Sequence, residues 1–311
     1  MERVTDESIV FFGTGPVAAA SLELLATSFN IEVVITKPRP EHHHGSVPVL
    51  DAARKLGLPI IEVTDKKTTS DAVAKASFKS RLGILIDFGI IVAQDVIDSF
   101  DLGIVNSHFS LLPEWRGADP ITFSILSGQS KTGVSLMLLV PAMDEGPLLA
   151  IGEYDLPTTI TTPQLTDDLV QLSFALLRET LPKYITGDVH PTPQEKVAEI
   201  VGYSDEPSYS RKLNKEDSIL DWGKSAEQLE REIRAYLEWP KSRCVLGGHA
   251  VIITEATAEV GEGKPGTLWL EGKHVGVYCK KGILMIRKLK PAGKQEMAIE
   301  SFLNGYGRDL V

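Results

Sequence analysis

Three polar residues of this chain have the types and settings for acyl and proton chemistry. Asn106 and His108 stand two apart, directly after the apolar run Gly103-Ile104-Val105. On an extended chain, residues two apart share a face. An Asn amide can donate to a developing oxyanion, and a His can take or give a proton near neutral pH. Asp144 sits in the stretch V-P-A-M-D-E-G-P, after the strand-like run Gly133–Val140. That puts it in line for the carboxyl edge of a sheet, where open α/β folds bind ligands. If the two strands are neighbours, Asp144 can orient His108 and stabilise its charge. Taken singly, each residue has a plain structural reading: a His bonded to a loop carbonyl, an Asp in a turn. Together with Ser110-Leu111-Leu112-Pro113, a rigid apolar wall, they suit transfer of an acyl group to an amine. That chemistry needs neither a metal nor a covalent enzyme intermediate.

Two other motifs are weaker. Gly13-x-Gly15-x-x-Ala18 follows a strand and opens a helix, as a dinucleotide fingerprint does. A nicotinamide enzyme also places an acidic residue at the end of its second strand, and here that place is Thr36-Lys37. A tight strand–helix turn, open to close approach by a ligand or loop, is the expectation instead. His42-His43-His44 lacks a nearby Asp or Cys to complete a metal set, so solvated loop histidines are expected.

The elements that must position these residues alternate in the first half. Strands are expected at Ser8–Phe12, Ile31–Thr36, Pro59–Val63, Gly83–Phe88, Gly103–Asn106 and Gly133–Val140. Helices are expected at 17–27, Val49–Leu56, Ser70–Ser77, Gln94–Asp98 and Thr162–Pro182. This rhythm implies an α/β fold with a doubly wound, mostly parallel sheet. His190-Pro-Thr-Pro-Gln194 and Ser204–Ser210 read as a linker. The expected division is a first domain over 1–189, a linker over 190–207 and a second domain over 208–311. In the second, Ser225-Ala-Glu-Gln228 has the form of a capping box. Its helix carries Ala226, Leu229, Ile233 and Tyr236 on one stripe. Five short strands follow, at Cys244–Leu246, Ala250–Thr254, Gly266–Leu270, Val275–Cys279 and Ile283–Leu289, and suggest a small OB-like β-barrel.

Of 311 residues, 43% are apolar, and the net charge is −10, which argues against a general nucleic-acid binder. The charge is unevenly spread: residues 1–200 carry a net of −11, and residues 201–311 a net of +1. From Gly272 to Lys294 seven basic residues occur and no acidic one. That stretch is either a solvated basic face or a surface that meets phosphates. No run of 18 apolar residues occurs, so no transmembrane helix is expected. The charged start is unlike a signal peptide. Two distant cysteines, Cys244 and Cys279, fit a reduced cytoplasmic compartment.

The pattern as a whole resembles the folate-dependent formyltransferases, marked by Asn-x-His-x-Ser-Leu-Leu-Pro followed by an Asp. Asn106, His108 and Ser110–Pro113 match that signature. Trp115-Arg-Gly-Ala-Asp-Pro-Ile121 continues it, with Asp119 replacing an Ala. Thr132–Val134 through Asp144-x-Gly146 matches the segment that bears the Asp. Ile219-Leu-Asp-Trp222, Ile233-Arg-Ala235, Trp239-Pro240 and Pro265-Gly-Thr267 look like the family's carboxyl-terminal domain. The likeness is strongest to the branch acting on methionyl-tRNA, nearly end to end. The resemblance implies transfer of a formyl group from 10-formyltetrahydrofolate, a cosubstrate, to the α-amine of initiator methionyl-tRNA. Asn106 and protonated His108 would hold the oxyanion, and Asp144 would support His108 and assist proton removal. The folate would lie near Phe88, Gly89, Ser110, Leu111, Leu112 and Pro113. Lys280, Lys281, Arg287, Lys288 and Lys290 become a candidate tRNA surface, with Lys37 and Arg39 in the loop after the second strand. That loop is shorter than usual in the family, and Val140 replaces an additional Asp. A cytoplasmic monomer without a metal is expected. The alternative acceptor is an amino sugar nucleotide or other small amine, because the same three residues would serve it. A nonenzymatic RNA-binding protein and a nicotinamide oxidoreductase are weaker readings.

Overall fold

The computed structural model describes residues 3–42, 44–201 and 206–310, and side chains within these except 198–201. His43 and the first two residues of the Ser204–Ser210 stretch lie outside the described residues. In chain order the elements are β1 (Ser8–Phe12), α1 (Pro16–Leu25), β2 (Asn30–Thr36), α2 (Pro48–Lys55), β3 (Ile60–Glu62), α3 (Lys66–Lys75), β4 (Leu82–Leu85), α4 (Gln94–Ile97), β5 (Ile104–His108), β6 (Arg116–Gly117), α5 (Pro120–Ser127), β7 (Lys131–Leu138), β8 (Leu148–Asp155), α6 (Thr162–Thr186), α7 (Gln194–Val201) and β9 (Tyr209–Ser210). Then come α8 (Ala226–Ala235), β10 (Ser242–Leu246), β11 (His249–Glu259), β12 (Leu268–Glu271), β13 (His274–Tyr278), β14 (Ile283–Pro291), β15 (Met297–Ala298) and α9 (Ile299–Tyr306). Two compact units result. One comprises Met1–Gly117, Lys131–Asp155 and Thr166–Ser210; the other comprises Ala118–Ser130, Leu156–Leu165 and Arg211–Val311.

The first unit is a seven-stranded sheet in the order β3-β2-β1-β4-β5-β7-β8. β3 through β5 are parallel, while β7 and β8 add antiparallel. The central strands are apolar along their length because both faces are covered: Ile9, Val10, Phe11 and Phe12 are fully buried. Phe12 meets Phe88 and Phe100 edge-on, at centroid distances of 5.5 and 5.9 Å. The strand order reverses between β1 and β4. The crevice outside the carboxyl ends of strands at such a switch point is where open sheets take ligands. α3 begins four residues before the expected Ser70, because Asp65 and Thr68 form a capping box. β4 stops at Leu85, short of the expected Phe88.

In the second unit, β10-β11-β14-β13-β12 form an antiparallel sheet, with β15 on β14. The expected barrel is corrected on one point: among the described residues the edge strands β10 and β12 do not pair, so the sheet is not closed. Helices supply the missing wall. Ala226, Leu229 and Ile233 of α8, and Ile299 and Phe302 of α9, share one core with Val251, Ile253, Val275, Val277 and Leu284. The α8 capping box is present, Ser225 Oγ accepting from the Gln228 amide. Among the described residues, no helix is long and apolar enough to cross a membrane.

Candidate functional site

β5 runs through His108, two residues beyond the expected end, and all five of its residues are buried. The alternation holds. Ser107 points to one face, where its hydroxyl bonds Ser173 of α6 at 2.7 Å; Asn106 and His108 share the other. His108 Nε2 lies 3.0 Å from the Trp115 carbonyl. A carbonyl only accepts, so Nε2 carries the hydrogen of that bond. Nδ1 is thereby the ring nitrogen turned to Asp144, whose Oδ1 is 3.7 Å away. The same Oδ1 is 3.4 Å from Asn106 Nδ2. Both separations exceed those of good hydrogen bonds. Three polar groups therefore converge on one point without satisfying each other, and that point suits an oxygen or nitrogen of a bound molecule.

Asp144 reaches this point by a route the sequence pattern did not suggest. β7 is antiparallel to β5, with Leu138 opposite Val105 and Ser135 opposite His108. The carboxyl end of β7 thus lies beside the start of β5, not beside His108. The connection from Leu139 to Pro147 doubles back to bring Asp144 over the strand. Several bonds hold it there. The Gly117 amide donates to Asp144 Oδ2 at 2.7 Å. Gln194 Nε2 donates to the carbonyls of Asp144 at 2.7 Å and Gly146 at 2.9 Å. Asp144 itself has a φ of 54°, an uncommon value for a non-glycine residue. Gly146 is required by close approach: a Cβ there would sit 1.7 Å from the Leu138 carbonyl oxygen.

The signature loop is braced as tightly. Ser135 Oγ accepts from the Leu112 amide at 3.0 Å and donates to the Ser110 carbonyl at 2.8 Å. The Leu112–Pro113 peptide is cis. β6 pairs with β9, and Ser208 bonds Pro113, Trp115 and Arg116. The segment expected to be a linker thus contains parts that build the site. The expected apolar wall faces inward: Leu112 packs with Met137 and Leu148, and Leu111 is 4% exposed. What 110–113 can offer a ligand is chiefly main chain. The Phe88 ring is likewise in the core, whereas Gly89 is exposed at the switch point.

The glycine turn has a clear occupant. A Cβ at Gly15 would lie 1.7 Å from Asp87 Oδ2, and the amides of Thr14 and Gly15 donate to the Asp87 carbonyl. A carboxylate stands over the turn where a dinucleotide would bring a pyrophosphate, and the two repel. His42 and His44 are exposed.

The candidate cations differ in how free they are. Lys37 Nζ donates to the Gly89 carbonyl at 3.2 Å, and Arg39 pairs with Asp51 at 2.8 Å. Arg287 is paired with Glu259, and Lys288 with Glu255. Lys280, Lys281 and Lys290 are exposed. The Lys280-Lys281 turn is fixed by main-chain bonds to Trp222, Lys224 and Ala226.

Gln194 and Arg116 were not singled out as site residues by their types. Both are buried, and only the fold brings Gln194 to Asp144, across 50 residues, and Arg116 to Gln194.

Known proteins resemble this chain over nearly its whole length. Residues 8–181 match the family described as formyl transferase, and residues 212–307 match the formyl transferase C-terminal domain. A methionyl-tRNA formyltransferase of Myxococcus xanthus is 33% identical over 303 residues, covering 96% of this chain and 95% of that protein. Among solved structures, an N-formyltransferase from Helicobacter canadensis, in complex with folinic acid and dTDP-3-aminofucose, superposes with a TM-score of 0.66. It is 15% identical and covers 94% of this chain and 100% of that one. HypX from Aquifex aeolicus, in complex with tetrahydrofolic acid, has a TM-score of 0.62 at 17% identity over 96% of this chain. This chain spans 47% of HypX. At such identities the two structures bear on the fold alone.

Proposed function

We propose, from the premise that the chain belongs to the formyl transferase family, that it transfers a formyl group from a folate to the α-amine of methionyl-tRNA. The near full-length likeness to a methionyl-tRNA formyltransferase carries the choice of acceptor. The convergence of Asn106, His108 and Asp144 carries the chemistry. The donor is 10-formyltetrahydrofolate, entering at the switch point beside Gly89 and the main chain of 110–113. The acceptor is initiator methionyl-tRNA, and a cytoplasmic enzyme fits that acceptor.

The residues then act as follows. Asn106 Nδ2 donates to the formyl oxygen as it gains charge under attack by the amine. His108 in its imidazolium form adds a second donor through Nδ1, because Nε2 is committed to the Trp115 carbonyl. Asp144 Oδ1 takes the proton that the attacking amine sheds. His108 gives its Nδ1 proton to the departing folate nitrogen as the carbon–nitrogen bond breaks and the formyl C=O reforms. One proton is lost by the amine and one is gained by tetrahydrofolate. Transfer from Asp144 to His108, which face each other across 3.7 Å, restores the starting state. Near-complete burial of Asn106 and His108 strengthens these contacts by lowering the local dielectric.

The exposed lysines Lys280, Lys281 and Lys290 serve the tRNA backbone, with Arg287 and Lys288 contributing only after release from Glu259 and Glu255. Incubation with 10-formyltetrahydrofolate and methionyl-tRNA, then hydrolysis and mass analysis, should yield N-formylmethionine. Recovery of methionine alone would overturn the proposal.

A further inference from the structure

We infer that Gln194 is a positioning residue for formyl transfer, holding the Asp144 carboxylate on its line to Asn106 and His108. This rests on the reading of the site given above. Gln194 opens α7 and is 2% exposed. All of its polar capacity faces the site's support. Nε2 donates to the carbonyls of Asp144 and Gly146, and Oε1 accepts from Arg116 at 2.7 Å. The amide orientation is fixed by its surroundings, since a flip would set oxygen against two carbonyls and an NH₂ against a guanidinium. Arg116, also buried, reaches Glu145 at 3.4 Å and is anchored by its own amide to the Ser208 carbonyl. The segment bearing Gln194 is tied down in turn, because Thr192 and Leu148 exchange both main-chain bonds, at 2.7 and 2.8 Å.

The consequence follows from leverage. Asp144 has a positive φ, so its peptide does not stay in place by intrinsic preference. Its side chain is fixed at one oxygen by Gly117, and its main chain is gripped by Gln194. Without that grip the carboxylate can pivot about the Gly117 bond, and the convergence with His108 and Asn106 is lost. Misplacement by about 1 Å costs on the order of 100-fold in rate.

A double-mutant cycle separates positioning from general stability. Gln194→Glu keeps an acceptor for Arg116 but loses both donors to the 144–146 carbonyls. Paired with Asp144→Asn, it completes the cycle. With 10-formyltetrahydrofolate and methionyl-tRNA, Gln194→Glu should lower kcat by roughly 10- to 100-fold, with the donor KM nearly unchanged. In the Asp144→Asn background the same change should cost little more. An equal factor in both backgrounds, or native kcat in Gln194→Glu, overturns the inference while leaving the function intact. If the native chain transfers no formyl group, the functional reading fails and the inference with it. Should Gln194→Glu not fold, Gln194→Met replaces it in the cycle, removing the acceptor for Arg116 as well.

Discussion

Asp144→Asn is the sharpest perturbation of the centre, because geometry separates its effects on folding and on turnover. The Asn has one oxygen. The bond from the Gly117 amide, 2.7 Å in the native chain, keeps that oxygen and turns the new NH₂ toward Asn106 and His108. Asn106 Nδ2 is itself a donor, so its loose contact of 3.4 Å becomes a mismatch and the proton acceptor disappears. The folding cost is the difference between a charged and a neutral hydrogen bond, about 1 kcal/mol. For a chain of this size that is a melting shift of roughly 2–4 °C or less. The loss of a positioned base is far larger, on the order of 10² to 10⁴ in rate, or about 3–5 kcal/mol of barrier. Steady-state formyl transfer to methionyl-tRNA, read beside a thermal melt, measures both. A variant melting like the native chain yet retaining kcat within about threefold would refute the role given to Asp144.

Other outcomes follow from the same structure. Gly146→Ala should lower the melting temperature and abolish most transfer, since its Cβ meets the Leu138 carbonyl at 1.7 Å; overpacking of this kind costs about 1–3 kcal/mol or more, and a native-like melt would contradict the close approach. Replacing Lys280, Lys281 and Lys290 by Ala should raise KM for tRNA and flatten its salt dependence by about one phosphate contact each, whereas Arg287→Ala and Lys288→Ala should do less because carboxylates already hold them; titration of KM against salt decides. Asp217 is held below the usual carboxylate range chiefly by its hydrogen bonds from Arg211 and also by the Asn214 amide, against the opposing effect of burial. Because its folded pKa is depressed, its contribution is present above the ordinary Asp value and lost as pH falls through the folded one. Asp217→Asn should therefore melt earlier than native at pH 7, with the gap closing in acid, and a pH-independent gap would remove the assignment.

What the sequence disclosed, and what it withheld, has a physical pattern. Strands buried on both faces announce themselves as apolar runs, and β1, β2, β4 and β5 were legible for that reason. The period of two put Asn106 and His108 on one side correctly, and Ser225-x-x-Gln228 marked the start of α8. β8 was missed because Leu148–Asp155 is apolar only in its first half and its exposed half reads as a loop. α9 was missed although Ile299, Phe302, Leu303 and Tyr306 fall at helical spacing on one stripe, which completes the second core. The direction of β7 was not legible at all, since pairing sense is a property of the sheet, and with it went the route by which Asp144 arrives. Gln194 was hidden for a similar reason: a Pro-rich polar segment looks like a linker, and only a bridge to β8 reveals that it supports the site. Paired charges were equally hidden, so the basic stretch looked more uniform than Glu255 and Glu259 leave it.

The most direct measurement is the ratio of kcat/KM for two acceptors with 10-formyltetrahydrofolate as common donor: methionyl-tRNA and a dTDP-linked amino sugar. A ratio strongly favouring methionyl-tRNA, lost for both acceptors in His108→Ala with the fold retained, is the predicted result. A ratio favouring the amino sugar, or native turnover without His108, would contradict the account.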